Sequence, residues 1–263
     1  MSTLICFALK EEAAPFRKTA GGLRRSHRVS ILLTGIGRRN AEKAVSDFWA
    51  GGSSVPASCS QKVFSGETRL VSSLAPPDLV LTCGFAGGLN PDLKPGDVVF
   101  EIPSSRRRGN ESLTETGNRK PDIGNNFETP HIVSYELSEK LIAAGAKPAR
   151  FFCTDRIAAT AGEKKKLRDE TGADAVEMES AAIYAVCAER GIPCVTVRVI
   201  SDTANEDLPM DFNQLAKADK SLDYGKLLLA IAKSPGKIGA LMKLQKQTRF
   251  AAERLAEVLV GIL

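Results

Sequence analysis

Short runs of residues that are apolar at nearly every position constrain this fold most strongly. The clearest run covers residues 195–200 and is β-branched, with only Thr196 and Arg198 interrupting it. Further runs lie at residues 4–9, 29–34, 79–83 and 98–102. Strands that are apolar on both faces need cover on both, which is typical of parallel sheets between helices. The pattern predicts an α/β fold, a three-layer α/β/α sandwich around a mixed, largely parallel, twisted central sheet.

Segments with helical signals alternate with these runs. A short helix is predicted at residues 14–18, after a charged loop, and another begins near Asn40 after a turn at residues 35–37. Residues 179–190 form a further predicted helix, which ends at Gly191. The alternation of strands and helices supports the layered α/β architecture.

We expect one domain over residues 1–263, because no segment has the length or composition of a domain linker. Residues 104–126 are polar and rich in Gly, Asn and Arg, and a flexible insertion is predicted there. Residues 225–263 form a predicted helical tail with apolar faces and interspersed lysines. This tail either packs on the domain or forms an amphipathic surface for a membrane or an apolar ligand.

Composition bears on partners and location. The formal net charge of +5 comes without a basic stripe interleaved with aromatic residues, so we expect no nucleic-acid partner. Six cysteines occur without a C-x-x-C pair, which favours reduced thiols and a cytoplasmic location. The first apolar run meets Lys10 rather than a small-residue cleavage site, and no run approaches the roughly 18 apolar residues of a membrane span. We therefore expect neither a targeting signal nor a transmembrane helix.

The sequence lacks the common cofactor motifs. There is no G-x-x-x-x-G-K-[ST] loop, and the pair Gly35 and Gly37 is followed by Asn40 where a dinucleotide fingerprint needs glycine. The two histidines, His27 and His131, have no partner at metal-ligand spacing, and no G-x-S-x-G motif marks a serine hydrolase. We expect no metal and no cofactor.

Acidic residues cluster near the ends of the predicted strands. Glu11 and Glu12 follow the first strand, and Asp202 follows the strand at residues 195–200. Glu177 and Glu179 stand at the start of a predicted helix, where a carboxylate also serves as an ordinary dipole partner. Because ligands of α/β sheets bind at the carboxyl ends of the strands, these five residues are candidates for a site.

Four sequence blocks that contain these residues resemble the nucleoside phosphorylase and nucleosidase superfamily. They are Ala8-Leu9-Lys10-Glu11-Glu12; Thr34-Gly35-Ile36-Gly37-Arg38-Arg39-Asn40-Ala41; Cys83-Gly84-Phe85-Ala86-Gly87-Gly88-Leu89; and Val176-Glu177-Met178-Glu179 followed by Val197-Arg198-Val199-Ile200-Ser201-Asp202. Within the superfamily the chain looks most like methylthioadenosine/S-adenosylhomocysteine nucleosidases. The resemblance implies hydrolysis of the N-glycosidic bond of a 5′-modified purine nucleoside, with release of the free base.

The resemblance implies three catalytic residues. Glu12 would activate the attacking water as general base, Glu179 would hold the ribose hydroxyls, and Asp202 would protonate the purine at N7. These roles suit the chemistry, because breaking the bond builds positive charge on the sugar and negative charge on the departing base. A free aspartic acid has a pKa of about 3.9, so a proton donor near neutral pH needs burial that favours its acid form.

The resemblance also implies a set of substrate contacts. Met178 would pack on the ribose, and Arg198 would organise the sugar and water side. Ile157 aligns with a phenylalanine that stacks on adenine in the family, which leaves hypoxanthine open as the base. The predicted substrate-binding residues are Phe85, Ala86, Gly87, Ile157, Ala158, Glu177, Met178, Arg198 and Ser201.

Several alternatives stay open at this point. The acidic loop at Glu12 favours water as acceptor, because a carboxylate repels phosphate, whereas Arg17 and Arg198 are compatible with a phosphorylase. The tail resembles that of nucleosidases acting on adenosylhopane, a lipid-linked nucleoside, and a membrane surface would be a partner only for such a substrate. A nucleoside-binding protein without turnover is a further alternative. Since the family usually forms dimers, we expect a homodimer that binds a small-molecule purine nucleoside.

Overall fold

The computed structural model describes residues 1–20, 28–50, 76–101, 131–215 and 235–263. The strands are β1 (Ser2–Phe7), β2 (Arg28–Leu33), β3 (Leu79–Gly88), β4 (Val98–Glu101), β5 (Lys147–Pro148), β6 (Phe151–Cys153), β7 (Ala175–Glu177) and β8 (Cys194–Asp202). The helices are α1 (Lys10–Thr19), α2 (Arg38–Trp49), α3 (His131–Ala143), α4 (Ala161–Thr171), α5 (Ser180–Ala188), α6 (Phe212–Leu215) and α7 (Ile238–Ile262). A 3-10 turn, Pro235–Lys237, directly precedes α7.

The strands form one mixed sheet. The strand order is β2-β1-β3-β8-β4-β5, while β7 pairs with β3 and β6 pairs with β7. The four consecutive strands β2, β1, β3 and β8 are parallel to one another. β4 is antiparallel to β8, and β7 is antiparallel to β3. The prediction of a mixed, largely parallel central sheet is confirmed.

Helices cover both faces of this sheet. Ile5 and Phe7 of β1 belong to an apolar cluster with residues of α1 and α7, whereas Leu4 and Cys6 pack with residues of α2 and α5. All four side chains are at most 1% exposed. Burying one such large aliphatic or aromatic side chain stabilises the folded state by about 1.5–3 kcal/mol. Side chains on both faces of β1 contribute in this way. The predicted three-layer arrangement is confirmed, and it explains why the strands are apolar at successive positions.

The first helix begins earlier than the sequence pattern indicated. α1 starts at Lys10, not at residue 14, and Glu11 and Glu12 form its first turn. Glu12 Oε2 accepts a hydrogen bond from the Leu9 backbone N–H at 2.9 Å, which satisfies one of the free donors at the helix start. The predicted charged loop is therefore a helical turn, stabilised by carboxylates near the positive end of the helix dipole.

β3 and β8 are longer than predicted. They pair in parallel from Val80 opposite Cys194 to Gly87 opposite Asp202, with an irregularity between Ala86 and Gly87. The sequence pattern ended these strands at residues 83 and 200, because glycine and polar residues follow. The extension is stabilised by pairing along the sheet, and it places the glycine-rich block and Asp202 within the sheet itself.

The C-terminal tail contains one long helix. The second half of α7 is buried against the sheet, whereas Ile238, Met242 and Phe250 in its first half are exposed. The buried half agrees with a tail that packs on the domain. Residues 225–234 and the predicted insertion at 104–126 lie outside the described residues. The assignment of residues 1–263 to one domain stays a prediction.

Two further observations concern thiols and membranes. In the described part of the chain, Cys6, Cys83, Cys153, Cys187 and Cys194 are free. No described helix combines the length and apolar character that a bilayer-spanning segment requires.

Candidate active site

The predicted site residues meet at one edge of the sheet. Arg198 lies on β8, Glu12 is in the first turn of α1, and Glu179 directly precedes α5. Asp202 is the last residue of β8. Parallel strands place their carboxyl ends at the same edge, and the polar side chains of this edge are almost fully buried.

Gly84 of β3 lies against the side chains of both Glu12 and Arg198. A Cβ atom at this position would lie 2.7 Å from Arg198 Nη1 and 2.7 Å from Glu12 Oε1. The φ angle of Gly84 is +147°, a conformation that L side chains rarely adopt. Glycine is therefore required here for two reasons, the backbone conformation and the close approach of two charged side chains.

Both carboxylate oxygens of Glu12 accept hydrogen bonds from the backbone. Oε1 accepts a hydrogen bond from the Phe85 backbone N–H at 2.9 Å, and Oε2 accepts the bond from Leu9. Burial raises the pKa of the Glu12 carboxyl above its usual 4.5, although these hydrogen bonds and Arg198 oppose the shift. A carboxylate with a raised pKa is a better base near neutral pH, so this geometry suits proton abstraction.

Arg198 is a buried cation that pairs with acids of this edge. Its Nη2 lies 2.6 Å from Glu177 Oε2 and 3.3 Å from Glu179 Oε2. The same guanidinium donates to Thr82 Oγ1 at 3.1 Å and to the carbonyl of Cys83 at 3.3 Å. Burial opposes the charge, but the neighbouring carboxylates outweigh it and raise the pKa of Arg198. Arg198 thus stays charged and fixes two acidic side chains.

The two acids on Arg198 have different surroundings. Glu177 accepts hydrogen bonds from the backbone N–H groups of Glu179 and Ser180 at 2.9 and 2.8 Å, and from the Ser180 hydroxyl. Burial would raise the pKa of Glu177, but Arg198 and these donors lower it. Glu179 receives one backbone donor, Gly37 N–H at 2.8 Å, and burial raises its pKa. Glu177 therefore supports Arg198, and Glu179 is the acid with spare acceptor capacity.

Another acid, Asp202 at the end of β8, lies beside the last residues of β3. Ser201 Oγ is 2.6 Å from Asp202 Oδ1 and 3.2 Å from the carbonyl oxygen of Ala86. A Cβ atom on Gly87 would stand 3.4 Å from Asp202 Oδ2, so the strand passes close to this carboxylate. The serine orients Asp202, and the absence of a side chain at Gly87 lets β3 pass close to this carboxylate.

Sequence reasoning missed Lys164, which contacts Asp202. Its ammonium is 2.6 Å from Asp202 Oδ2, and the lysine side chain is fully buried. The nitrogen also donates to the backbone carbonyls of Thr203 and Glu206, at 2.7 and 2.9 Å. Its position is unusual for a lysine. Lys164 lies in the first turn of α4, where the helix dipole disfavours a positive charge, so a lysine there needs another partner.

The remaining predicted contacts lie around these groups. Ala86, Ala158 and Met178 are buried, and Phe85 is half-buried. The Ile157 N–H donates to Asn213 Oδ1 at 2.8 Å, and the Ile157 carbonyl accepts from Asn213 Nδ2 at 2.9 Å. The backbone polar groups of Ile157 are therefore occupied by Asn213, a residue that sequence reasoning did not single out.

The described residues contain no group of three or more His, Cys, Asp or Glu side chains arranged to hold a metal ion. The acids at this edge are instead partnered by Arg198 and by backbone N–H groups. That the protein uses neither a metal nor a cofactor stays a prediction.

A mixed α/β sheet with buried acids at the carboxyl ends of its parallel strands defines a class of small-molecule binding proteins and enzymes. The profile of the Phosphorylase superfamily matches residues 10–232. The chain belongs to this family, and the resemblance noted in the sequence blocks is confirmed.

Curated relatives match part of the chain. The 5′-methylthioadenosine/S-adenosylhomocysteine nucleosidase of Shewanella halifaxensis is 33% identical over 159 residues, which is 56% of this chain and 66% of the relative. The aminodeoxyfutalosine nucleosidase of Campylobacter jejuni is 28% identical over 149 residues, which is 51% of this chain and 60% of the relative. The chain thus spans about 60–66% of the length of these relatives.

Solved structures match over the whole chain. Futalosine hydrolase of Helicobacter pylori superposes with a TM-score of 0.61 at 19% identity, covering 100% of this chain and 97% of that structure. The 5′-methylthioadenosine/S-adenosylhomocysteine nucleosidase of Colwellia psychrerythraea, solved with adenine, gives a TM-score of 0.60 at 20% identity, covering 100% and 94%. Because the sequence identities are only 19% and 20%, these superpositions support the assignment of the fold alone.

Proposed function

We propose that this chain hydrolyses the N-glycosidic bond of a 5′-modified purine nucleoside and releases the free base. The observation that carries the proposal is the arrangement along β3, where Glu12 lies beside Gly84 and Asp202 lies beside Gly87. These two glycines are three positions apart, or about 10 Å at roughly 3.3 Å per residue. In this proposal a water molecule, the anomeric carbon and the imidazole edge of the purine lie between the two acids.

The sugar end has the groups that the reaction needs. Glu12 takes a proton from a water molecule, which attacks the anomeric carbon. Its buried carboxylate and that of Glu179 also stabilise the positive charge that grows on the ribose ring as the bond breaks. Glu179 accepts hydrogen bonds from the ribose hydroxyls, and Met178 packs against the ring. Arg198 acts behind them, because it holds Glu179 in place.

At the base end, Asp202 donates a proton to N7 of the departing purine. The purine leaves with negative charge on its imidazole ring, so protonation lowers the barrier to bond cleavage. Ser201 and the small residues Ala86 and Gly87 let the base approach this carboxyl. Ile157 and Ala158 contribute to the wall of the base pocket in this proposal.

Water, not phosphate, is the acceptor in this proposal. A carboxylate about 4 Å from a phosphate charge repels it by about 4 kcal/mol at an effective dielectric constant of about 20. Glu12 and Glu179 would both oppose phosphate at this position. Arg198, the cation next to these acids, is already engaged by Glu177 and Glu179.

The relatives guide the choice of substrate. Their names specify 5′-methylthioadenosine, S-adenosylhomocysteine and aminodeoxyfutalosine, which are all nucleosides with a modified 5′ carbon. We propose a substrate of this kind, with adenine as the base. We also propose that the protein is a cytoplasmic homodimer, and the free thiols of the described cysteines support the location.

A lipid-linked nucleoside of the adenosylhopane type is the second candidate substrate. The first half of α7 exposes Ile238, Met242 and Phe250 together with basic residues such as Lys243 and Arg249. A surface of this composition suits an apolar 5′ substituent or the membrane interface from which it is drawn.

A substrate panel tests the proposal. It contains methylthioadenosine, S-adenosylhomocysteine, aminodeoxyfutalosine, inosine and an adenosine with a long 5′ alkyl chain, each incubated with and without phosphate. Chromatography should detect free adenine in the absence of phosphate. Preference for the alkyl compound would select the lipid-linked substrate. Release that requires phosphate would identify a phosphorylase, and ligand binding without release would identify a binding protein.

A further inference from the structure

Lys164 is a buried lysine whose three ammonium protons all have acceptors. The distances are 2.6 Å to Asp202 Oδ2, 2.7 Å to the Thr203 carbonyl and 2.9 Å to the Glu206 carbonyl. Its side chain is fully buried, while that of Asp202 is 12% exposed. A desolvated ammonium is costly unless it is paired and fully hydrogen-bonded, and this one is both. Lys164 therefore carries its charge directly beside the acid of the base end.

The contacts fix Asp202 from two sides. Ser201 Oγ holds Oδ1, and Lys164 Nζ holds Oδ2. The lysine also ties α4 to the loop that follows β8, because it binds two carbonyls of that loop. The plane of the carboxyl group and its position along β8 are thus set jointly by a neighbouring hydroxyl and by a cation from another helix.

We propose that Lys164 is the positioning residue for Asp202, which it aims at the leaving base. The inference rests on the proposed function, in which Asp202 protonates the purine. Because Lys164 holds Oδ2 while Ser201 holds Oδ1, the carboxyl group is fixed in one orientation before the base leaves.

Charged groups around this pair have their own partners. On the loop after β8, the Glu206 carboxylate pairs with Lys243 of α7 at 3.0 Å, and Asp207 accepts the Ala161 N–H at 2.7 Å. On β3, the uncharged Gly87 lies beside Asp202. Among the described residues, Lys164 is the cation that forms an ion pair with Asp202.

The test compares two leaving groups in Lys164→Gln, which removes the charge but keeps a hydrogen-bond donor. One substrate is the purine nucleoside that the wild type cleaves. The other is a p-nitrophenyl riboside with the same 5′ substituent, whose nitrophenolate leaves without a proton. The matched control is Lys165→Gln, because Lys165 is the exposed next residue of α4 and pairs with Asp169.

In Lys164→Gln we expect kcat for the purine substrate to fall roughly 10- to 100-fold, a part of what general acid catalysis contributes. Cleavage of the nitrophenyl riboside should change less than threefold, and Lys165→Gln should match the wild type on both substrates.

Equal losses on both substrates would overturn the inference, since they would mean that Lys164 only maintains the fold. An unchanged kcat for the purine substrate would overturn it as well. If Lys164→Gln does not fold, Lys164→Arg replaces it: the charge persists but the larger planar head group displaces the Asp202 carboxyl group, so the loss should again be confined to the purine substrate. Failure of the wild type on both substrates would instead refute the proposed function.

Discussion

Arg198 and Glu177 form an ion pair that is closed off from solvent: Nη2 and Oε2 are 2.6 Å apart, and the side chains are 1% and 0% exposed. The Glu177 side chain has no exposed surface with which to contact a substrate. We therefore interpret its predicted substrate-binding role as indirect: Glu177 holds Arg198 in place. Arg198 in turn reaches Glu179 at 3.3 Å. The sugar end of the site is thus built on a buried charge pair.

Breaking this pair should destabilise the protein. Glu177→Gln leaves the Arg198 charge buried without its closest partner, and removing one member of a buried pair typically costs about 3–5 kcal/mol. Urea unfolding followed by circular dichroism measures the loss. Asp169→Asn, which breaks an exposed pair with Lys165, is the control and should stay within about 1 kcal/mol of the wild type. Equal effects of the two substitutions would contradict the role given to Glu177.

The raised pKa of Glu12 predicts how stability depends on pH. A carboxyl whose pKa is higher in the folded state stabilises the fold below its unfolded pKa, near 4.5, and this contribution is lost as pH rises through the folded value. The wild type should therefore lose stability relative to Glu12→Gln as pH rises from 4.5 to neutral. The difference amounts to about 1.4 kcal/mol per unit by which the pKa is raised.

Urea midpoints measured across this pH range test the prediction. Glu11→Gln is the matched control, because Glu11 is an exposed residue of the same helical turn. Its curve should run parallel to that of the wild type. A Glu12→Gln curve that also runs parallel would show that burial does not shift this carboxyl.

Glu12→Gln should also lose hydrolysis but keep substrate affinity. The amide cannot take a proton from water, and general base catalysis contributes typically 100- to 10,000-fold to a rate. We expect kcat to fall by at least about 100-fold with a dissociation constant within threefold of the wild type, measured by calorimetry with a non-hydrolysable nucleoside analogue. An unchanged kcat would remove Glu12 from the mechanism.

Asp202→Asn should separate the two ends of the site. The amide has no acidic proton for N7, so adenine release should fall by roughly 100-fold or more. Cleavage of the p-nitrophenyl riboside, which needs no proton at its leaving group, should persist. Parallel loss of both activities at an unchanged melting temperature would contradict the assignment of Asp202 to the base end.

Gly84→Ala should damage the site more than an ordinary glycine substitution does. The new Cβ would meet Arg198 Nη1 and Glu12 Oε1 at 2.7 Å each, so both side chains must move. Gly145→Ala is the control, since its φ of +90° imposes strain but nothing lies within 4 Å. The control should cost about 1–2 kcal/mol and keep its activity. Gly84→Ala should lose more stability and nearly all turnover, and an active variant would contradict the close approach.

The sequence allowed the layers and the sugar-end acids to be predicted because both leave local patterns. Strands buried on two faces are apolar at successive positions, and the blocks with Glu12 and Glu179 resemble family motifs. The ends of the strands were harder to predict, because pairing between β3 and β8 extends both strands through glycine and polar residues. Propensity alone would end them earlier.

Contacts between distant parts of the chain could not be predicted. Lys164 precedes Lys165 and Lys166, and a run of three lysines resembles a solvated helix face, yet only the first is buried. Which lysine turns inward depends on how α4 packs over the loop after β8. The pairing of Ile157 with Asn213, 56 positions away, likewise arises from tertiary structure.

The most direct test of the central claim is the identity of both products formed from 5′-methylthioadenosine. Adenine is followed by chromatography, free methylthioribose by ¹³C NMR and any sugar phosphate by ³¹P NMR, in buffers with and without phosphate. We expect adenine release at the same rate in both buffers, with free methylthioribose and no sugar phosphate. A ribose 1-phosphate product, or release only when phosphate is present, would contradict it.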